Sequence, residues 1–361
     1  MVQISTFFTG LARNLSIRSP RKSYLDAQSD DLDSITKEAR NNGLVLTSPC
    51  IVDAKSSGSF TSIYSKRGQK GINQDCFVVW EEFGYQEDMI FCGIFDGHGP
   101  WGHLVSRKVR KLMPASLLKN WQNVLVQNSL DDEIDFGLEF KRNLLQLDVW
   151  KKCFLKTCLS IDEKLNQHPD IDSFYSGTTA LSVIRQGDMM IVANVGDSRA
   201  VLATTSDEEG ILVPIQLTVD FKPNLPLECE RIKQSGGRVL SSRDEQGLYR
   251  IWMPKGECFN GPGLAVSRAF GDHYIKDFGL ISEPDVIQRR ITNRDHFVIL
   301  ATDGVWDVIS NQEAIDIVAS TPERHDAAKR LVKCAACTWK HKRPGIARDD
   351  ISAICLFFHE T

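Results

Sequence analysis

Nine short apolar runs limit what this chain can fold into more than any other feature. They are DCFVVWEEF (residues 75–83), MIFCGIF (89–95), TALSVIRQ (179–186), MMIVANV (189–195), AVLAT (200–204), LYRIWMP (248–254), DVIQRRI (285–291), HFVILAT (296–302) and ISAICLFF (351–358). Each has strand length and is rich in branched or aromatic residues. Turn signals such as RQGD and SDEEG separate several of them, which favours antiparallel hairpins over a parallel sheet. Helical periodicity falls between two batches of strands, over residues 101–119 and about 137–166, with QNSLDDEIDF as a solvated connection. It returns over 228–235 and twice near the end. SNQEAIDIVAS opens with Ser310 and carries Glu313 three residues on, a capping-box pattern. TPERHDAAKRLVKCAACTWK places Pro322 just inside an expected helix start. The sum is an α+β fold of two sheets covered by helices. Residues 1–58 are Ser-, Asp- and Asn-rich and predict a mostly disordered extension; residues 59–361 predict one large folded domain.

Aspartate punctuates these runs. Asp75 opens a strand in KGINQDCFVVW, Asp96 follows CGIF, Asp197 ends IVANVGDS, Asp303 follows HFVILAT, and Asp349 and Asp350 precede the last strand in ARDDISAICLFF. One aspartate at a strand end is an ordinary turn cap. Five such edges, with carboxylates that disfavour strand interiors and burial, predict hard oxygen ligands drawn together for Mg²⁺ or Mn²⁺. Gly97 in FDGHG allows close backbone approach to a cation, and His98 beside it suits a general acid near neutral pH. Cys334 and Cys337 with His341 form a lone Cys-x-x-Cys on a helical pattern, which reads as packing rather than a zinc site.

The motifs GINQD, FDGHG, GTTA, VGDSRA, GPGLAVSRAFGD, ATDGVWDV and RDDISAI, in that order over about residues 60–358, resemble the metal-dependent serine/threonine protein phosphatases of type 2C, most of all the plant branch. The resemblance implies a four-layer α-β-β-α sandwich, two antiparallel sheets flanked by helix pairs. It implies two Mg²⁺ or Mn²⁺ ions, with Asp96 bridging both, the Gly97 carbonyl on one, and Asp303 and Asp349 on the other. Asp75 would hold metal-bound waters, and Asp197 and Asp307 match a weaker third metal site. The RDD motif leaves Asp349 or Asp350 as the ligand, with Asp349 preferred because it follows the basic residue. The implied reaction is hydrolysis of phosphoserine or phosphothreonine by a metal-bridging hydroxide, with no covalent intermediate. Lys70 would orient the phosphate and His98 would protonate the leaving oxygen. Two positions depart from the family pattern: Gln74 stands where many members carry Glu, and Lys70 where many carry Arg, exchanging a bidentate fork for a point charge. The segment from Gly236 to about Pro284 is expected to begin with a flap over the site.

The resemblance also implies phosphorylated proteins as partners and a monomer, and the remaining features argue against other partners. A formal charge of −4 and the lack of a basic, aromatic-rich tract speak against nucleic acid. No apolar run reaches membrane-spanning length. Neither a Walker loop nor a dinucleotide fingerprint appears. Ten cysteines among apolar neighbours predict buried, reduced thiols and an intracellular protein of the cytoplasm or nucleus. Arg13, Arg18, Arg21 and Lys22 without an acid through Leu25 keep organelle targeting open, while Val2 excludes N-myristoylation. The rival reading is a scaffold or pseudophosphatase that binds phosphoproteins without turnover.

Overall fold

The computed structural model describes residues 43–47, 50–53, 60–128, 139–206, 210–241, 247–254 and 262–359. The unbroken apolar character of the strands has a direct cause: both faces of each central strand are covered. In Met89–Phe95, alternation sends Met89, Phe91 and Phe95 toward one hydrophobic cluster and Ile90, Cys92 and Ile94 toward another. A strand covered on one face only would alternate apolar and polar residues instead.

The larger sheet runs Asp285–Arg290, Met189–Val195, Ala180–Gln186, Met89–Phe95, Cys76–Glu81, Gly43–Thr47, Cys50–Asp53. All its pairings are antiparallel except that Gly43–Thr47 runs parallel to Cys76–Glu81. Gly43–Thr47 and Cys50–Asp53 pair antiparallel inside the stretch expected as an extension; residues 1–42, 48–49 and 54–58 lie outside the described residues. The second sheet runs Leu212–Gln216, Arg199–Thr205, Asp295–Ala301, Ile351–Phe357, Thr61–Lys66, antiparallel throughout. Two of its strands carry no clear sequence signal. Leu212–Gln216 contains Pro214, which an edge strand tolerates because its outward N–H is not needed.

Helices Gly102–Asn128 and Glu139–Asn166 cover the first sheet, where Trp121 and Trp150 stack between them at 5.5 Å and 8°. Helices Asn311–Ala319 and Ala327–Lys342 cover the second. Leu181, Val183, Leu202, Leu300 and Ile354 fill the space between the sheets, giving the four layers expected. The Ser310–Glu313 capping box forms, with Glu313 N donating to Ser310 Oγ and Ser310 N to Glu313 Oε2. The last helix begins at Ala327 rather than at Pro322, because Ser62 of the neighbouring strand accepts from Ala328 N and donates to His325 O. That contact fixes the first turn from outside the helix, which no local pattern records. The connection QNSLDDEIDF lies mostly outside the described residues.

Antiparallel pairing also explains the acidic punctuation. The end of one strand lies beside the start of its neighbour, so residues after Phe95 and before Cys76 meet at one edge, as Cys76 and Phe95 are partners. In the second sheet Ala301 pairs with Ala353, which brings Asp303 and the Asp349–Asp350 pair to one edge likewise.

Candidate metal centre

Asp96, Gly97, His98, Asp197, Asp303, Asp307, Asp349 and Lys70 all line one cleft of about 630 Å³. Asp75 does not face it: it is buried, and accepts a hydrogen bond from Thr302 Oγ1 at 3.0 Å. Burial pushes its carboxyl up to about 8, with the Asp350 and Asp349 charges adding to the effect and hydrogen bonds from Ser352 and Thr302 opposing it.

The two neighbouring aspartates of RDD divide their tasks. Asp350 Oδ1 accepts from Gly68 N at 2.7 Å and Oδ2 from Gln74 N at 2.8 Å, so its carboxylate is committed to tying two loops together. Asp349, which lines the cleft as Asp350 also does, accepts from Asp350 N on Oδ1 at 2.9 Å and takes the Lys70 ammonium on Oδ2. Lys70 is raised: burial works against its charge, but Asp349, Asp303 and Asp96 together outweigh it.

The floor is short of positive charge. Asp96 and Asp303 are both held well above the carboxylate range, first by burial, then Asp96 by the charges of Asp75, Asp303, Asp349 and Asp197 and Asp303 by those of Asp349, Asp197 and Asp307, against Lys222. Asp307 is raised by burial against the pull of Lys222 and Arg343. Asp303 Oδ1 is buried without a hydrogen-bond partner. Crowded carboxylates with an unpartnered buried oxygen suit cations. A Cβ on Gly97 would lie 2.5 Å from Gly102 O, so the backbone here packs closer than any side chain allows. Among the described residues no three His, Cys, Asp or Glu side chains close on one point.

Asp272, Gly177, Lys222 and Arg343 were not singled out by the sequence reading, yet each sits in or beside the cleft. His98 Nε2 lies 2.6 Å from Asp272 Oδ2, and although burial disfavours its charge, Asp272 raises its proton affinity overall. Asp272 ends AFGD, a strand edge like the others, but sits in the left-handed region at φ 51°. Gly177 is required beside this pair: a Cβ there would stand 2.1 Å from Asp272 Oδ2 and 2.7 Å from His98 Nε2. Lys222, in DFKPN, pairs with Asp197 inside the cleft, and Arg343 reaches Asp307 at 3.5 Å. Where a flap was expected, Arg238–Ser241 pairs with Tyr249–Trp252; Arg250 of that pair and Gly247 and Leu248 before it line the cleft, and residues 242–246 lie outside the described residues.

The protein phosphatase 2C family model matches residues 74–338. Probable protein phosphatase 2C 73 of Arabidopsis thaliana is 54% identical over all of this chain and 96% of its own length. Probable protein phosphatase 2C 48 of Oryza sativa subsp. japonica is 50% identical over 99% of each. The crystal structure of serine-threonine phosphatase 2C from Toxoplasma gondii superposes with a TM-score of 0.72 at 26% identity, over 83% of this chain and 94% of that one. With the sandwich and its acidic cleft, these likenesses mean that the chain belongs to the protein phosphatase 2C family.

Proposed function

We propose that the chain hydrolyses phosphoserine and phosphothreonine in proteins at a binuclear Mg²⁺ or Mn²⁺ centre. The carrying observation is the crowding of Asp96, Asp303 and Asp349 in one cleft, under-neutralised by the lysines present, with His98 at its side. Asp96, the Gly97 carbonyl, Asp303 and Asp349 would hold the ions, and Asp197 and Asp307 a weaker third. Bound there, the ions supply an acidified water and neutralise the phosphate dianion. Asp349 fits a ligand better than Asp350: both Asp350 oxygens are held by backbone N–H groups of other loops, whereas Asp349 takes only its neighbour's N–H on Oδ1 and the half-exposed Lys70 ammonium on Oδ2.

The chain's own residues do the rest. Lys70, more than half exposed, can turn from Asp349 to a phosphate oxygen and hold it as a point charge. His98 carries a proton on the leaving-group side, and Asp272 holds the ring in orientation and favours the protonated form. Asp75, backed by Thr302, keeps a second row of acceptors behind the floor. Gln74 supports the same region with no charge: its N–H donates to Asp350 and its amide to Gly99 O at 3.1 Å. No nucleophilic side chain is required.

The test is phosphate release from a phosphothreonine peptide as Mn²⁺ or Mg²⁺ is titrated, with EDTA-treated protein and Asp303→Asn alongside. Metal-dependent release that the variant lacks is expected. A folded protein that binds Mn²⁺ yet releases no phosphate would replace this reading with the scaffold.

A further inference from the structure

We propose that an aromatic wall beside His98 binds an apolar side chain flanking the phosphoresidue of the protein substrate; this rests on the phosphatase reading above. Tyr175 and Tyr274 line the same cleft as His98 and Asp272, with ring centroids 5.0 Å apart. Phe174 extends them outward, edge-on to Tyr175 at 4.8 Å and 6.3 Å from Tyr274, and is 49% exposed. Single exposed apolar residues are common on protein surfaces; one joined to two cleft-lining rings makes a continuous apolar track from site to solvent.

The wall is fixed relative to the proton donor. Residues Phe174 to Gly177 run against Asp272 to Tyr274: Asp272 N donates to Ser176 O at 2.9 Å and Tyr274 N to Phe174 O at 3.2 Å. Gly177 pairs in turn with His98. The segment that carries the rings therefore also holds His98 and its partner. A group that protonates the leaving oxygen stands on the side where that oxygen's polypeptide departs. The residues flanking the phosphoresidue leave along this side and meet rings there. Tyr274 Oη is already used, donating to Pro262 O at 2.6 Å, so that ring offers its face rather than a hydrogen bond. An apolar side chain is the occupant that these ring faces match.

The experiment measures kcat and KM of the full chain with Mn²⁺ on phosphothreonine peptides carrying Leu, Ala or Asp on either side of the phosphoresidue, and on p-nitrophenyl phosphate. At one flank, Leu should exceed Ala in kcat/KM by about tenfold, with Asp lower still. Phe174→Ala should raise KM for the Leu peptide by roughly fivefold, leave its kcat unchanged and flatten the Leu-to-Ala preference. Its p-nitrophenyl phosphate kinetics should match those of the unaltered chain, and Phe174→Leu should restore most of the preference. Equal kcat/KM for Leu and Ala peptides at both flanks, or a Phe174→Ala loss shared equally by them, overturns the proposal. If the unaltered chain turns over neither the peptides nor p-nitrophenyl phosphate, the phosphatase reading falls, and this one with it.

Discussion

Glu228→Gln should destabilise the fold by about 2–3 kcal/mol at neutral pH, and by progressively less in acid. Glu228 is 3% exposed and receives five hydrogen bonds. Arg231 Nη1 and Nη2 donate at 2.6 and 2.9 Å, Arg268 Nη2 and Nε at 2.8 and 3.1 Å, and Ser267 Oγ at 2.6 Å. Arg268 also stacks over Phe221 at 3.8 Å, so the cluster locks helix Pro226–Gln234 onto the segment that runs toward Asp272. Burial acts to raise the Glu228 carboxyl, yet these donors hold it down at about 2 from an ordinary 4.5. At about 1.36 kcal/mol for each pH unit, that difference corresponds to roughly 3.4 kcal/mol. The arginines keep 25% and 18% of their side-chain exposure, so water screens part of the interaction and about 2–3 kcal/mol remains. Because the folded-state value is depressed, the contribution is complete above about pH 4.5 and fades as pH falls toward 2. The assay is urea unfolding of metal-free protein and variant from pH 7 to pH 3.5, where the other acidic groups are common to both and cancel. A gap of 2–3 kcal/mol that narrows below pH 4.5 is expected. A gap that stays constant with pH, or widens in acid, refutes the assignment of the stabilisation to the ionised carboxylate.

Other perturbations separate the roles within the cleft. Asp272→Asn should lower kcat on a phosphothreonine peptide at least tenfold with little change in KM, and much less on p-nitrophenyl phosphate, whose leaving group needs no proton; equal losses on both substrates would remove Asp272 from proton donation. Gly177→Ala should lower kcat on the peptide by about 10–100-fold, with circular dichroism unchanged, because its Cβ would enter the His98–Asp272 contact. Asp349→Asn and Asp303→Asn should weaken Mn²⁺ binding in calorimetry by at least tenfold. Asp350→Asn should instead retain binding and lose about 1–3 kcal/mol of stability from its two backbone hydrogen bonds; the opposite pattern would exchange the two aspartates.

What could be read from the chain, and what could not, follows the range of the interaction involved. The strands around Met89–Phe95 were legible because burial on both faces leaves an unbroken apolar run. Asp96 and Asp303 were legible because a carboxylate ending such a run is locally expensive and therefore conspicuous. The His98–Asp272 contact bridges 174 positions and was not. Nor was the strand Thr61–Lys66, four of whose six residues are only partly buried, nor the helix start that Ser62 imposes on Ala328. The pair at the end of RDD marks the boundary between the two cases. Both residues are the same amino acid beside the same strand, so no property of composition or spacing distinguishes them. The distinction comes from where each carboxylate, both of them lining the cleft, finds donors: backbone N–H groups of Gly68 and Gln74, 282 and 276 positions away, hold both Asp350 oxygens, while Asp349 takes only its neighbour's N–H and the Lys70 ammonium. A local pattern can thus nominate a ligand pair, but its assignment depends on a loop near the start of the domain. Gly68 must be small for that loop to approach, since a Cβ there would lie 2.4 Å from Arg348 O. Any substitution at Gly68 should therefore push directly on Asp349, whose backbone carbonyl the added Cβ would also meet at 2.4 Å, and weaken Mn²⁺ binding there.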